Sequence, residues 1–262
     1  MTAAAFDCKV RVFVTDEKIS GDTVTIDGGD AYHLIRSLRI TRGERVVVCD
    51  MRRREYICEA ERITADTVVA RIVEIRDSEN EPPYRAVAYL ALSKGERFDL
   101  AVQKSVELGV AEIVPFESEH TIITVADAEK KLARRRKIAA EAASQCGRAI
   151  IPAVRDPVRF SDVIAELKAS KGLAFLCYEG DGATPLPQLL CRHASPDEIA
   201  FVVGPEGGFS TREADEAREA GIPLCGLGKR ILRCETAPLY VLAALSYQFE
   251  LARRISNGEN QN

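Results

Sequence analysis

Glycine clusters in three stretches of the second half of the chain, and each stretch directly follows an apolar run. The stretches are residues 177–182 (CYEGDG), 204–208 (GPEGG) and 226–236 (GLGKRILRCET). Glycine lets a ligand approach the backbone, because no Cβ stands in the way. Any one stretch is explained by a tight turn, whereas three together indicate a ligand site. None matches the glycine patterns of dinucleotide or nucleoside triphosphate sites, so neither ligand is inferred.

The third stretch also carries charge, since Lys229, Arg230 and Arg233 stand beside Glu235. This is more charge than a turn needs. It fits a site that handles an anionic polymer next to a proton-transfer step.

The elements around these stretches predict that they meet. From residue 85 on, apolar strands predicted at 87–92, 112–116, 173–177, 199–203 and 224–227 alternate with helical segments, the longest at 127–146. Capping boxes are predicted at 93–96 and 210–213, and Thr236 is predicted to cap the last helix. Such alternation predicts a mostly parallel sheet with helices on both faces, and ligands bind such sheets outside the carboxyl ends of the strands.

The first part of the chain has a different pattern. Short alternating runs predict strands at 10–14, 45–49, 56–62 and 68–75, with one short helix at 30–39. The polar, proline-containing segment 78–83 is the best linker candidate. We therefore predict a mainly β, barrel-type domain over residues 1–77, a linker over 78–84 and an α/β domain over 85–262.

Composition narrows the class of protein. The 262 residues are 46% hydrophobic and 29% charged, as in a globular protein. We expect a cytoplasmic protein with no membrane segment, because no apolar run reaches the ~20 residues of a membrane span and the N-terminus lacks a secretory pattern. Eight cysteines without a C-x-x-C pair, and only three histidines, predict no metal site.

Charge is unevenly distributed although the net charge is only −4. Residues 36–54 hold seven arginines against two acids, and residues 130–148 hold seven basic residues against Glu141. Two such stretches in an acidic chain are consistent with a phosphate-binding footprint. A hairpin tip and a solvated helix face explain them equally well.

Several motifs together resemble a known family. GPEGGFS before a helix and LGKRILRCETA at the start of the last helix are similar to the RsmE-type family, uracil-N3 methyltransferases of small-subunit (16S) ribosomal RNA in the SPOUT superfamily. HLIRSLRITRGE, SKGERFDLAVQKSVELGV and QCGR agree in order and spacing. The resemblance implies a trefoil-knotted parallel sheet with helices on both faces, a PUA-like N-terminal barrel that helps to hold RNA, S-adenosylmethionine as cofactor, and a homodimer.

The resemblance also implies the residues of the cofactor site, and backbone groups rather than a charged clamp are expected to hold the adenine. By position, the cofactor-binding residues are Leu176, Cys177, Glu179, Gly204, Pro205, Glu206, Gly208, Leu227, Gly228, Ile231, Leu232 and Ala237. Gly204 and Gly228 are expected to keep ligand space free of a Cβ.

Transfer to uracil N3 requires loss of the N3 proton or stabilisation of the resulting anion. The predicted catalytic residues are Arg233, for charge on the carbonyl oxygens, and Glu235 as base. Glu235 is equally explained by an ion pair with Arg230 or Arg233. For Glu206 we favour a structural role in its loop.

The basic stretches supply the predicted RNA contacts. These are Arg36, Arg39, Arg52, Arg53, Arg54, Arg135 and Arg148, with ribosomal RNA in the small subunit as the expected partner. Two alternatives stay open: a non-catalytic RNA-binding assembly factor with the same fold, and a related methyltransferase that acts on transfer RNA or on a ribose hydroxyl.

Overall fold

The computed structural model describes residues 10–252. Cys8, most of the stretch judged for a secretory pattern, and the two ends of the predicted domains lie outside these residues. The chain divides into two compact units. One extends to Glu81 and takes in Ala143–Ile151, and the other holds Pro82–Ala142 and the chain from Pro152 on. The predicted boundary at residues 78–84 remains a prediction; the sequence pattern did not indicate that 143–151 joins the first unit.

The first unit is built on a curled six-stranded sheet. Its strands are β1 (Arg11–Phe13), β2 (Ile19–Ser20), β3 (Thr23–Ile26), β4 (Arg45–Cys49), β5 (Arg54–Ile63) and β6 (Val68–Asp77). They lie in the order β1-β4-β5-β6-β3-β2, with β1 and β4 parallel and the other pairs antiparallel. Two register shifts between β5 and β6 bend the sheet into a half-barrel. The sequence analysis missed β2, which has only two residues, and β3, although its sequence TVTI alternates.

A short helical segment packs on this sheet. Helix α1 (Gly28–Tyr32) continues into a wider π-type turn at His33–Ser37, and a 3-10 turn covers Asp16–Lys18. The predicted helix at 30–39 therefore begins earlier and ends before Arg39, whose φ of 55° is incompatible with a helix. Ala31 and Leu34 point into the core with the inward residues of the strands.

The second unit is built on an eight-stranded sheet in which all pairs are parallel. Its strands are β7 (Arg85–Ala91), β8 (Glu112–Glu117), β9 (Ala153–Val154), β10 (Val158–Arg159), β11 (Leu173–Cys177), β12 (Thr184–Pro185), β13 (Glu198–Val203) and β14 (Leu224–Gly226). The order is β10-β8-β7-β13-β11-β14-β12, and β9 pairs with β8 beside this path. The prediction of a parallel α/β sheet is confirmed.

Helices cover both faces of this sheet. They are α2 (Arg97–Glu107), α3 (Val125–Glu129), α4 (Leu132–Gln145), α5 (Phe160–Ala169), α6 (Leu186–Leu190), α7 (Thr211–Glu219) and α8 (Ala237–Ser246), the last followed by a π-type turn at Tyr247–Leu251. Alternate strand residues such as Val87, Val114 and Val202 pack with α5 and α7. The intervening residues, such as Ala88, Ile113 and Phe201, are also buried, so the strands are apolar on both sides. Within residues 10–252, no helix combines the length and apolar character needed to cross a bilayer.

Three sequence predictions about helices were wrong. The box at 93–96 does not cap α2, because Gly95 has a φ of 70°, which no helix contains, and the helix begins only at Arg97. The single helix at 127–146 is two helices, α3 and α4, since the Lys131 N–H bonds to Ala128 and tightens the chain between them. Among the described residues, no side-chain bond from Thr236 caps α8.

The box at 210–213 is confirmed. Ser210 Oγ accepts the Glu213 N–H at 3.2 Å, and the Glu213 carboxylate accepts the Ser210 N–H at 2.9 Å. Two N–H groups at the start of α7 are thereby satisfied, which fixes the end of the 204–208 loop that precedes the helix.

Candidate cofactor pocket and active site

The three glycine-rich stretches meet in one cavity. They follow β11, β13 and β14, which are neighbours in the sheet in the order β13-β11-β14. The cavity has a volume of ≈ 370 Å³, within the usual range of small-molecule sites, about 300–1,000 Å³. Its wall therefore consists of loop backbone at the carboxyl edge of the sheet.

Ten of the twelve predicted cofactor-binding residues line this cavity. They are Cys177, Glu179, Gly204, Pro205, Gly208, Leu227, Gly228, Ile231, Leu232 and Ala237. Leu176 is instead fully buried in the core. Glu206 turns to Arg97, whose Nη1 lies 3.2 Å from Oε1, in line with the structural role that we favoured. These two residues are outside the cavity wall.

The cavity wall also contains residues that the sequence analysis did not select. These are Tyr178, Gly180, Ala183, Pro185, Val203, Phe209, Gly226, Lys229, Arg230 and Cys234. Most of these residues lie inside the three glycine-rich stretches. The stretches therefore indicated the cavity wall, and the set of residues selected within them was too small. Ala183, Pro185 and Phe209 lie just beyond them, where no glycine marks the wall.

Gly204 and Gly228 serve different purposes. A Cβ on Gly228, whose φ is +112°, would meet no heavy atom of the described chain within 4 Å, so this position opens onto the cavity. A Cβ on Gly204 would lie 2.9 Å from the Phe209 ring. That ring stacks on Phe116 with 6.3 Å between centroids. The prediction that Gly204 keeps ligand space free was therefore wrong: its missing side chain makes room for Phe209.

Burial keeps the thiols at the pocket protonated. It raises the pKa of Cys177 well above its usual value, with a further contribution from neighbouring Cys225, and raises the pKa of Cys225 to about 12. Burial and the nearby Glu235 carboxylate raise the pKa of Cys234 to about 11. A neutral thiol is a poor nucleophile. The cavity wall is thus uncharged at Cys177 and Cys234 and resists alkylation there.

Charged groups gather beside Cys234. The Cys234 thiol donates to Glu235 Oε2 at 3.3 Å. Burial opposes ionisation of Glu235, but its own backbone N–H, the Cys234 thiol, Arg97 and Arg233 together hold its pKa below the usual value. The predicted catalytic pair Arg233 and Glu235 therefore adjoins the cavity wall without forming it, and the carboxylate is ionised at neutral pH.

A loop that the sequence analysis did not select braces the cavity. His120, after β8, places Nδ1 3.2 Å from the Gly207 carbonyl and 3.1 Å from the Gly208 carbonyl, so Nδ1 is the donor in this arrangement. The adjacent Glu119 N–H donates to the Glu213 carboxylate at 2.9 Å, and Ser210 Oγ donates to the Glu119 carboxylate. These bonds hold the 204–208 loop from outside the cavity.

The predicted RNA-contacting arginines divide into two groups. Arg36, Arg39, Arg52, Arg53 and Arg54 are exposed in the first unit. The last three form the tip of the β4–β5 hairpin, where the Asp50 carboxylate accepts the N–H groups of Arg52 and Arg54 at 2.8 and 3.2 Å. The buried Asp50 carboxylate therefore fixes the backbone of the hairpin tip.

Arg135 and Arg148 are corrections, because both side chains are buried. Arg135 is 2% exposed and lies over the Phe98 ring at 4.0 Å, near Asp99. Arg148 is 4% exposed and pairs with Glu81, with Nη2 2.6 Å from Oε2. Neither guanidinium reaches the surface of the protomer, so their roles here are structural.

Comparison with known proteins places this geometry in a family. A profile of the RNA methyltransferase domain matches residues 80–246. The ribosomal RNA small subunit methyltransferase E of Bacillus subtilis is 31% identical over 237 residues, which cover 88% of this chain and 92% of the relative. The chain belongs to the ribosomal RNA small subunit methyltransferase E family. The predicted family is thereby confirmed.

Solved structures agree with the family fold over nearly the whole chain. The crystal structure of the family member from Neisseria gonorrhoeae bound to S-adenosyl methionine is 33% identical, covers 91% of this chain and 97% of its own, and has a TM-score of 0.81. A putative methyltransferase from Legionella pneumophila with bound cofactor is 29% identical over the same shares, with a TM-score of 0.80. A curled N-terminal sheet followed by a parallel α/β sheet is thus common to this chain and the family.

Proposed function

We propose that this protein transfers the methyl group of S-adenosylmethionine to N3 of a uridine in small-subunit (16S) ribosomal RNA. One observation carries the proposal: a chain of this family has a cavity walled by three glycine-rich loops at the carboxyl edge of its parallel sheet. Open α/β sheets bind ligands at this edge.

The residues present fit the cofactor. Gly228 leaves space beside exposed backbone, and Leu227, Ile231 and Leu232 provide apolar contact for a flat base. Glu179 adds a carboxylate to the same wall, which suits a cationic ligand. When bound, S-adenosylmethionine supplies an electrophilic methyl group on a positively charged sulfur.

The protein must then prepare the uridine. The target base has to leave its stack to reach the cavity. Its N3–H proton leaves, and the N3–C bond forms as the sulfur–carbon bond breaks. The products are 3-methyluridine within the RNA and S-adenosylhomocysteine, which is released. We assign to Glu235 the proton acceptance and to Arg233 the stabilisation of charge on a uracil carbonyl oxygen. Because its pKa is lowered, Glu235 is a weak base and depends on that stabilisation.

The exposed arginines of the first unit supply the RNA contacts in this proposal. Arg36 lies in the π-type turn after α1 and Arg39 follows that turn, and Arg52, Arg53 and Arg54 extend from the hairpin tip. Guanidinium groups bind phosphate without reading sequence. They would hold the RNA while the cavity selects the base.

We also propose a homodimer formed through the last helix. Tyr240, Tyr247 and Leu251 are 43%, 68% and 52% exposed, and their spacing places them along one side of α8 and the turn after it. Exposed apolar stripes of this kind mark protein contacts. Sedimentation of Tyr247→Glu should show a monomer, while Tyr32→Glu, an equally exposed tyrosine of the first unit, should keep the wild-type mass. Equal masses for both variants would remove α8 from the interface.

Incubation of small ribosomal subunits from cells without this activity with methyl-labelled cofactor tests the reaction. Nucleoside digestion should yield labelled 3-methyluridine. Label on a ribose hydroxyl or on transfer RNA would support the related methyltransferase instead. RNA binding without label or cofactor binding would support a non-catalytic assembly factor.

A further inference from the structure

A fourth loop reaches the candidate active site. Strand β7 lies next to β13, so the segment between β7 and α2 leaves the same sheet edge beside the 204–208 loop. Arg97, the first residue of α2, crosses this gap to Glu206 at 3.2 Å. Ser93 hydrogen-bonds to the thiol of Cys234, which lines the cavity. The segment thus touches both the second and the third loop.

Arg97 is weakly held where it lies. Its side chain is 47% exposed and that of Glu206 40% exposed, and exposed ion pairs of this kind contribute about 0–1 kcal/mol. The positive charges of Arg97 and Arg233 also help to lower the pKa of Glu235. Arg97 therefore lies next to the 204–208 loop, in a charged region at the edge of the cavity.

This arrangement addresses a chemical difficulty of the reaction. Neutral uracil holds its N3 proton tightly, and an ionised carboxylate of lowered pKa is a weak acceptor for it. Proton loss becomes easier when positive charge lies at the oxygens over which the remaining electron pair spreads. A site whose proton acceptor is weak therefore requires positively charged groups next to the uracil ring.

We propose that Arg97 is a further catalytic residue, which exchanges Glu206 for a uracil carbonyl oxygen and stabilises its negative charge while N3 is deprotonated. The N3 proton passes to Glu235 and then to water, and the electron pair stays on the uracil ring. N3 next takes the methyl group from the cofactor as the sulfur–carbon bond breaks, so that the ring is neutral again, S-adenosylhomocysteine leaves and Arg97 is unchanged. This inference rests on the proposed function.

A purely structural role for Arg97 makes different predictions. An arginine that only ties α2 to the 204–208 loop would act through cofactor affinity, and loss of either partner of the tie would have the same effect. A charge at the substrate would act on the rate and on its dependence on pH and on uridine acidity.

The test uses Arg97→Gln and Arg97→Lys with small ribosomal subunits as substrate. Single-turnover methylation is measured from neutral to alkaline pH, and cofactor affinity by calorimetry. Arg97→Gln should slow methylation about 100-fold at neutral pH, as loss of one oxyanion donor does, with cofactor affinity kept. Its rate should go on rising at alkaline pH where the wild-type rate levels off, and Arg97→Lys should recover part of the loss. Lys104→Gln, on the same helix and paired only with Glu107 in the described salt bridges, is the matched control.

Two further experiments distinguish an effect of the Arg97 charge on the substrate from a structural role of Arg97. Subunits reconstituted with 5-fluorouridine, whose N3 is more acidic, should restore much of the Arg97→Gln rate. Glu206→Gln should cost less than Arg97→Gln and keep the wild-type pH profile. Equal losses in Glu206→Gln and Arg97→Gln, an unshifted pH profile, or no recovery with 5-fluorouridine would each overturn the proposal. Absence of 3-methyluridine with the wild-type protein would instead refute the proposed function.

Discussion

Single residues decide what the cavity can hold, and Gly228 is the clearest case. Gly228 and Gly221 both have positive φ, 112° and 78°, and a Cβ on either would meet no heavy atom of the described chain within 4 Å. Only Gly228 lines the cavity. The two glycines therefore share backbone strain but differ in what a side chain would obstruct.

Gly228→Ala should weaken S-adenosylmethionine binding by at least about tenfold, or ~1.4 kcal/mol, because its methyl group enters the cavity. Gly221→Ala is the control for strain. Both should lose about 1–2 kcal/mol of stability, whereas calorimetry should show normal affinity for Gly221→Ala. Equal affinities in the two variants would mean that the ligand binds elsewhere.

His120→Ala should weaken cofactor binding by about 3- to 10-fold, the value of one hydrogen bond of 0.5–1.5 kcal/mol, because the carbonyl groups of Gly207 and Gly208 lose their donor. His120→Asn, with an amide donor, should recover part of this loss. The measurement is the KM for the cofactor against kcat, with the exposed His193→Ala as control. A fall in kcat with unchanged KM would contradict a role in bracing the loop.

The sequence predicted the cavity wall better than its supports. The family resemblance supplied twelve residues, of which ten line the cavity, and all of these ten except Ala237 lie in the three glycine-rich stretches. His120 and Arg97 come from loops after other strands, and no local pattern shows which side chain turns towards a neighbouring loop. Burial of Arg135 and Arg148 was missed for the same reason: both lie in a basic run whose exposed members resemble them.

Elements were predictable where an apolar run has clear limits. Strands β4 and β11 have the predicted bounds. The division between α3 and α4 and the late start of α2 were not predictable, because they depend on local backbone geometry: the bond from Lys131 to Ala128 and the φ of 70° at Gly95.

The ion pair between Glu81 and Arg148 connects the two chain segments of the first unit, the one that ends at Glu81 and the one at 143–151. Glu81 also accepts the N–H groups of Ala149 and Ile150 at 3.0 and 3.1 Å. One buried carboxylate therefore accepts hydrogen bonds from three residues of the other segment.

Arg148→Met should lower the free energy of unfolding by about 3 kcal/mol, because it leaves the Glu81 carboxylate buried without its cation. Urea unfolding measures this. Lys137→Ala removes an exposed pair with Glu141 and should cost no more than about 0.5 kcal/mol. If Arg148→Met kept its stability and lost RNA affinity, the sequence-based assignment of Arg148 to the RNA surface would be right.

At the scale of the whole molecule, the proposed RNA contact depends on the distribution of charge rather than on the shape of the surface. The chain is acidic overall, yet the first unit exposes a cluster of arginines at one hairpin. Sequence composition revealed this cluster because it is local in the chain. It could not reveal that residues 143–151 complete the same unit, since that depends on Ala149 packing with Val47 and Ile57.

Changing Arg52, Arg53 and Arg54 together to Ala should weaken RNA binding and flatten its dependence on salt. The slope should fall by about 0.7–0.9 for each phosphate that is no longer neutralised, while cofactor affinity stays the same. The matched control changes Lys168, Lys171 and Arg192, exposed residues before β11 and β13 at the opposite sheet edge. The slopes are measured by titration with ribosomal RNA at several salt concentrations. Identical slopes for both triple variants would exclude the hairpin from the RNA-binding surface.

The path of the chain through the two units affects how the protein is made. When residue 81 has emerged from the ribosome, the six described strands of the curled sheet have been synthesised. The segment 143–151, which contains Arg148 and Ala149, has not yet been synthesised. The N-terminal unit thus remains unfinished until much of the next unit has emerged. A truncation after residue 81 should yield an incomplete fold, and a chimaera that exchanges this unit between relatives has to carry both segments.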